Sequence, residues 1–231
     1  MNDKDIQRVK DISNIEWTRV FDDTIGISQE EELRLPTTKA SNQEKLLEDK
    51  NRHIIKRTEN SKNLYKNKNF KIKTPKNLYN LGEIYNLTIK KGTLTEEERF
   101  KIKEHIMMSI KMLEKLPFPD YLKNIPKYAG AHHETLIGTG YPRGLKKEEM
   151  PIPSRIMAIA DIFEALTAND RPYKKGKSLS SAIKILSFMV KDKHLDEDIF
   201  KLMLKSGIYI DFAKTHLHVE QIDKVNIEEY L

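Results

Sequence analysis

The chain has 231 residues, 38% of them hydrophobic and 33% charged, with a net charge of +6, which suits one large domain or two small ones with a highly charged surface. It contains no cysteine, which excludes disulfides and thiolate metal sites and fits a reducing compartment. No apolar run approaches the ~18 residues of a membrane span, and MNDKDIQRVKD lacks the apolar core of a signal peptide, so the expected location is the cytoplasm.

Residues 4–20 suggest a short helix with Ile6, Val9, Ile12 and Ile15 on one face, and Trp17 packing at its end. Phe21-Asp22-Asp23 and Gly26 signal a turn. SQEEELR at 28–34 reads as a short capped helix stopped before Pro36, and residues 42–48 as another turn or two. Residues 50–76 hold ten lysines and arginines against one acid, Glu59. That stretch reads as a solvated, flexible linker, or alternatively as a patch for a polyanion, with Tyr65 and Phe70 set among the lysines. Two aromatics are few for single-strand binding, so nucleic acid is not the expected partner.

The apolar run LGEIYNLTI ends at Lys90-Lys91-Gly92. Thr95 with Glu98 three residues on is a capping-box pattern and predicts a helix over about 96–115, ended by Pro117 and Pro119. A second helix is expected over 120–134, carrying the two histidines His132 and His133, and a third over 153–168, mostly apolar and therefore buried. Residues 178–191 and 196–205 are amphipathic packing helices, and the C-terminus ends in short helical pieces. No strand pairs stand out, so the fold class is all-α.

Apart from His105, the chemistry-bearing residues cluster within 128–176. His105 stands late in the capped helix, where a lone histidine is more often a surface or core residue than a ligand. Two adjacent histidines on a helix point about 100° apart, so His132 and His133 share one site only if it lies between them or holds several ions. Asp161 lies in an apolar run, where a buried carboxylate must be paired, hydrogen-bonded or metal-bound. Glu164, one turn on, shares its face. Imidazole with carboxylate suits iron, manganese or zinc. The Gly138–Pro142 turn brings Tyr141 close to whatever lies beneath, or is a simple loop. Arg171 and Lys174 suit a phosphate, or the dipole at a helix end. Together these residues make a coherent metallophosphodiesterase constellation.

The segments HHE, GTGYPRGL, EEMPIPSRIMAIADIFEALT and DRPYKK, with KKGTLTEEERFKIKEH upstream, closely resemble the HD-GYP family over roughly residues 90–205. These are bacterial phosphodiesterases that hydrolyse cyclic di-GMP within the all-α HD superfamily. The resemblance implies that His105, His132, His133 and Asp161 are metal ligands. It implies that Tyr141 and Gly140 of the loop, with Arg171 and Lys174, line the phosphates of a cyclic dinucleotide. Two or more divalent ions, iron or manganese, would be the cofactors, and pGpG or GMP the product.

Three departures stand out. No histidine is followed by aspartate, so the His-Asp pair that names the superfamily is missing; His53, the one histidine before His105, precedes Ile54. Ile137 stands where relatives carry aspartate before the loop glycine, and Glu164 where many have aspartate. The resemblance therefore implies a partial HD-type helical bundle: residues 1–89 as a variable, insertion-like region with an irregular basic stretch, and 90–231 as the helical domain. The chain reads as the C-terminal part of a longer catalytic domain, with weak or no turnover alone. Its partners would be the cyclic dinucleotide and an upstream sensor or His-Asp segment or other signalling proteins. The alternative is a catalytically degenerate regulatory module that binds a partner protein or nucleotide through the Gly-Tyr-Pro loop.

Overall fold

The computed structural model describes residues 1–20, 26–33, 43–59, 69–169 and 175–231. They form two compact units. One comprises the described residues through 59 with Lys73–Ile102; the other comprises residues 69–72 with Lys103–Leu231. The fold is predominantly helical, as expected, with two small two-stranded sheets. Among the described residues no helix is long and apolar enough to cross a membrane.

In the first unit, helix α1 (Asp3–Ser13) begins on a capping box: Asn2 Oδ1 accepts the Asp5 N–H at 2.9 Å and the Asp5 carboxylate accepts the Asn2 N–H at 3.4 Å. The Ser13 hydroxyl and the Asn14 amide both donate to the Lys10 carbonyl, which closes the last turn. The helix is thus shorter than the 4–20 span predicted. Trp17 does not pack at its end but stands in strand β1 (Glu16–Thr18), 44% exposed. Helix α2 (Gln29–Glu32) follows its Ser28 capping box. Strand β2 (Gln43–Lys45), in place of the turn expected there, pairs antiparallel with β1.

A 3-10 turn at Asn51–His53 leads into β3 (Ile54–Lys56), which pairs antiparallel with β4 (Asn77–Asn80). These pairs correct the expectation of no strands. At three or four residues each, they are too short to display the alternation by which a strand is read. Tyr65 lies outside the described residues. Arg57 is buried, its Nε donating to the Pro75 carbonyl at 3.1 Å and its guanidinium 4.6 Å from the Phe100 ring centre. Helix α3 (Glu83–Leu87) precedes α4 (Glu96–Leu113), whose N-terminus is the predicted box: Thr95 Oγ1 accepts the Glu98 N–H at 3.2 Å and Glu98 Oε2 the Thr95 N–H at 2.8 Å.

The second unit continues from Lys103 along α4 into a 3-10 turn (Asp120–Leu122) and the five-residue α5 (Ile125–Ala129). A loop with a 3-10 turn at Lys147–Glu149 then leads to α6 (Ile152–Thr167), α7 (Leu179–Lys191), α8 (Glu197–Ser206) and α9 (Ile208–His216). These four helices share one core. Ala158, Ile159 and Phe163 of α6 meet Ala182, Ile183 and Leu186 of α7, with Phe200 and Leu204 of α8 and Tyr209 of α9 behind them. Each fully buried aliphatic side chain contributes about 1.5–3 kcal/mol.

Asp196 caps α8, accepting the Asp198 N–H at 3.0 Å. It is 1% exposed, and its Oδ2 takes Arg155 Nη1 at 2.6 Å and Lys147 Nζ at 3.4 Å. Burial pushes its pKa up, but Arg155, the backbone and Lys147 together hold the carboxyl below its ordinary value.

Candidate metal centre

Along α4, Ile106, Met107 and Ile110 point inward and are buried, which leaves His105 on the outer side. Helix α5 stops at Gly130. A Cβ there would lie 2.8 Å from Ile110 Cγ1, so only glycine lets the turn seat this closely against α4. The histidine pair therefore lies in the turn after α5, not on a helix over 120–134 as the sequence suggested. The turn folds both rings together, their centres 4.2 Å apart.

His132 Nδ1 donates to the Ala129 carbonyl at 2.7 Å. A carbonyl only accepts, so Nδ1 carries the proton and Nε2 is the nitrogen left to face a cation. His133 Nε2 lies 3.0 Å from His105 Nε2. One ligand atom from each of His105, His132 and His133 falls within 4.8 Å of the others. Burial lowers the pKa of His133 to about 4, helped by His132 and His105 and opposed by Asp161. The ring is neutral near pH 7 and has a lone pair to give. Three imidazoles converging in this way fit a divalent cation of borderline softness.

Asp161 sits on α6 with Ala158, Ile159 and Phe163 turned to the core, so it lies on the opposite, exposed side. The expectation of a buried carboxylate is corrected: its neighbours in sequence are apolar, but its face of the helix is open. Its charge acts on both His133 and Tyr141, so it lies within electrostatic reach of the histidines, though outside their 4.8 Å group. Glu164 is exposed one turn further on.

The loop after the histidines closes over them. The Tyr141 N–H donates to the His133 carbonyl at 3.1 Å, and the Tyr141 ring stacks on His133, centres 4.9 Å apart and planes 16° apart. Lys103 Nζ stands 5.1 Å from the Tyr141 ring centre. Burial, then the Asp161 charge, raises the Tyr141 pKa, so the phenol stays protonated. A Cβ on Gly140 would lie 2.4 Å from Glu134 Cα, so position 140 must be glycine for the loop to cross there.

Beneath that crossing lies Glu134, which sequence reasoning noted only as part of a His-His-Glu run. Its side chain is 0% exposed. Oε1 accepts the N–H groups of Arg143 at 2.7 Å and Gly144 at 3.1 Å, and Oε2 that of Leu145 at 2.9 Å. Burial raises its pKa, against the pull of those three bonds. The available signal was an acid followed within ten residues by three glycines, two of them, Gly138 and Gly144, at positive φ.

Arg171 and Lys174 lie outside the described residues. The chain on either side is pinned: Gln221 Nε2 donates to the Thr167 and Lys177 carbonyls, both at 2.9 Å, and the Gly176 N–H to Asn169 Oδ1 at 2.7 Å.

A family model described as HD domain matches residues 40–199, well over half of the chain. The chain is 38% identical over 118 residues to the 3'3'-cGAMP-specific phosphodiesterase 1 of Vibrio cholerae, covering 51% of this chain and 26% of that protein. It is 38% identical over 110 residues to a cyclic di-GMP phosphodiesterase of Thermotoga maritima, 46% and 29% respectively. A cyclic di-GMP phosphodiesterase of Borreliella burgdorferi is 32% identical over 159 residues, 66% and 40% respectively. The matches thus span about a quarter to two fifths of each of these relatives.

Proposed function

We propose that this chain, which belongs to the HD domain family in its HD-GYP form, is a metal-dependent phosphodiesterase module that recognises a cyclic dinucleotide in the cytoplasm. Turnover by the chain alone is weak or absent, because no His-Asp dipeptide occurs in its 231 residues. The observation that carries the reading is the convergence of three imidazoles within 4.8 Å under a tyrosine-capped, glycine-rich loop.

His105, His132 and His133, joined by Asp161, would hold the cations, iron or manganese and two or more in number. When bound, such ions lower the pKa of a coordinated water and offset charge on phosphoryl oxygens. The Ala129 carbonyl fixes the His132 tautomer, and burial keeps His133 uncharged. The Tyr141 ring covers one face of His133 and excludes water there, while its protonated hydroxyl is a donor for a phosphate oxygen. Lys103 adds positive charge next to it. Arg171 and Lys174 supply the remaining phosphate contacts, where guanidinium geometry favours two-point binding. The names of the relatives support cyclic di-GMP and 3'3'-cGAMP as the substrates to try first.

The test measures metal content, nucleotide affinity and product on the purified chain with manganese or iron. Metal-dependent binding that is lost in His133→Ala, with little pGpG or GMP formed, is the expected result. Rapid metal-dependent turnover overturns the clause on weak activity. Failure to bind both metal and nucleotide overturns the whole reading. Nucleotide bound equally well by metal-free protein points instead to the degenerate regulatory module working through residues 138–142.

A further inference from the structure

We infer that Glu134 is a positioning residue for the site proposed above: an internal anion that shapes the loop and holds Tyr141 over the histidines, and not a fifth metal ligand. The inference rests on that functional reading for the purpose of the loop, but its geometry stands on its own. A carboxylate directly after two metal-type histidines invites assignment to the metal. Its surroundings say otherwise. Glu134 is 0% exposed, and the three-histidine group that could hold an ion does not include it.

Both its oxygens are engaged by successive backbone N–H groups, those of residues 143, 144 and 145. A buried charge must be compensated, and here three amide dipoles of one loop do it, in the manner of a backbone nest. The loop touches Glu134 twice. Its outgoing limb crosses the Glu134 backbone at Gly140, where no Cβ fits, and its returning limb wraps the carboxylate. Tyr141 lies between the two contacts, its N–H on the His133 carbonyl. The place of Tyr141 over His133 is therefore set from both sides by one residue.

The test compares the full chain with Glu134→Gln, Glu134→Asp and Gly140→Ala. Metal stoichiometry, amide hydrogen exchange at residues 143–145, and affinity for cyclic di-GMP are each measured. In Glu134→Gln one acceptor oxygen becomes an NH2 group facing an N–H. Exchange at 143–145 should rise about tenfold or more, and nucleotide affinity should fall about tenfold, as for a lost charge-assisted bond. Metal stoichiometry stays at the wild-type value. In a Tyr141→Ala background Glu134→Gln should weaken nucleotide binding no further, because its effect passes through Tyr141. Glu134→Asp should restore part of the protection.

Loss of metal in Glu134→Gln, unchanged exchange at 143–145, or additive losses with Tyr141→Ala each overturn the inference. If Glu134→Gln does not fold by circular dichroism, Gly140→Ala carries the test, with the same faster exchange and retained metal expected. Exchange and metal content need no nucleotide. A wild-type chain that binds none while exchange still responds would sink the functional reading and leave the role of Glu134 standing.

Discussion

Two regions of the second unit are both well packed, but they are held together in opposite ways. The layer of α6, α7, α8 and α9 is held by interchangeable apolar contacts: Ile183, Leu186, Phe200 and Leu204 are all buried in one cluster. Any one of them can be trimmed and the rest still exclude water. The loop from 131 to 150 has almost no regular structure, and it is held by a few polar contacts that do not substitute for one another. Apolar burial is non-directional, whereas a hydrogen bond fixes distance and angle. The helical layer therefore sets stability, and the loop sets where a few atoms stand.

That division can be broken by experiment. The largest effect expected is on metal affinity: His133→Ala removes a converging nitrogen and should lower affinity by about 100-fold or more while barely moving the melting temperature, read by titration and calorimetry. A fall in melting temperature equal to that of a core variant would show the loop to be structural after all. Leu186→Ala is the converse. It should cost about 2–5 kcal/mol in denaturant unfolding and leave metal stoichiometry unchanged. Thr95→Ala removes the cap of α4, which belongs to the first unit, and should cost about 1 kcal/mol with no change in metal binding.

The smallest effect sharpens the contrast through pH. The folded pKa of His133, about 4, lies below its ordinary 6.5. Between these values the unfolded chain binds more protons, so stability rises with pH across that window. The contribution is fully present above pH 6.5 and is lost as pH falls toward 4. In chelator, the melting temperature should be lower at pH 5 than at pH 7, and His133→Ala should flatten that slope. An unchanged slope in the variant would move the acid sensitivity to another group.

Local signals survived from sequence to structure where they depend on neighbours in the chain. Thr95 and Glu98 formed the predicted box, and Ser28 capped α2 as its spacing implied. His105 lies far from His132 and His133 in sequence and comes together with them in the fold. The errors arose where a partner distant in sequence decides. His132 and His133 left the helix because Gly130 packs on Ile110, twenty residues earlier. Asp161 looked buried because its flanking residues are apolar, yet a helix sorts them by face: Ala158, Ile159 and Phe163 are buried while Asp161 is exposed. Glu134 was passed over because its partners are backbone amides, which no sequence displays.

Asp196 bears on how portable this loop is. Lys147 from the loop, Arg155 from α6 and the first turn of α8 all meet at that one carboxylate, and the Leu136 N–H reaches the Lys193 carbonyl nearby. Residues 131–150 grafted alone into another scaffold would leave behind the anchor of their returning end. The smallest transplantable module includes the turn before α8, more than forty residues downstream, so engineering this loop means moving two pieces of chain at once.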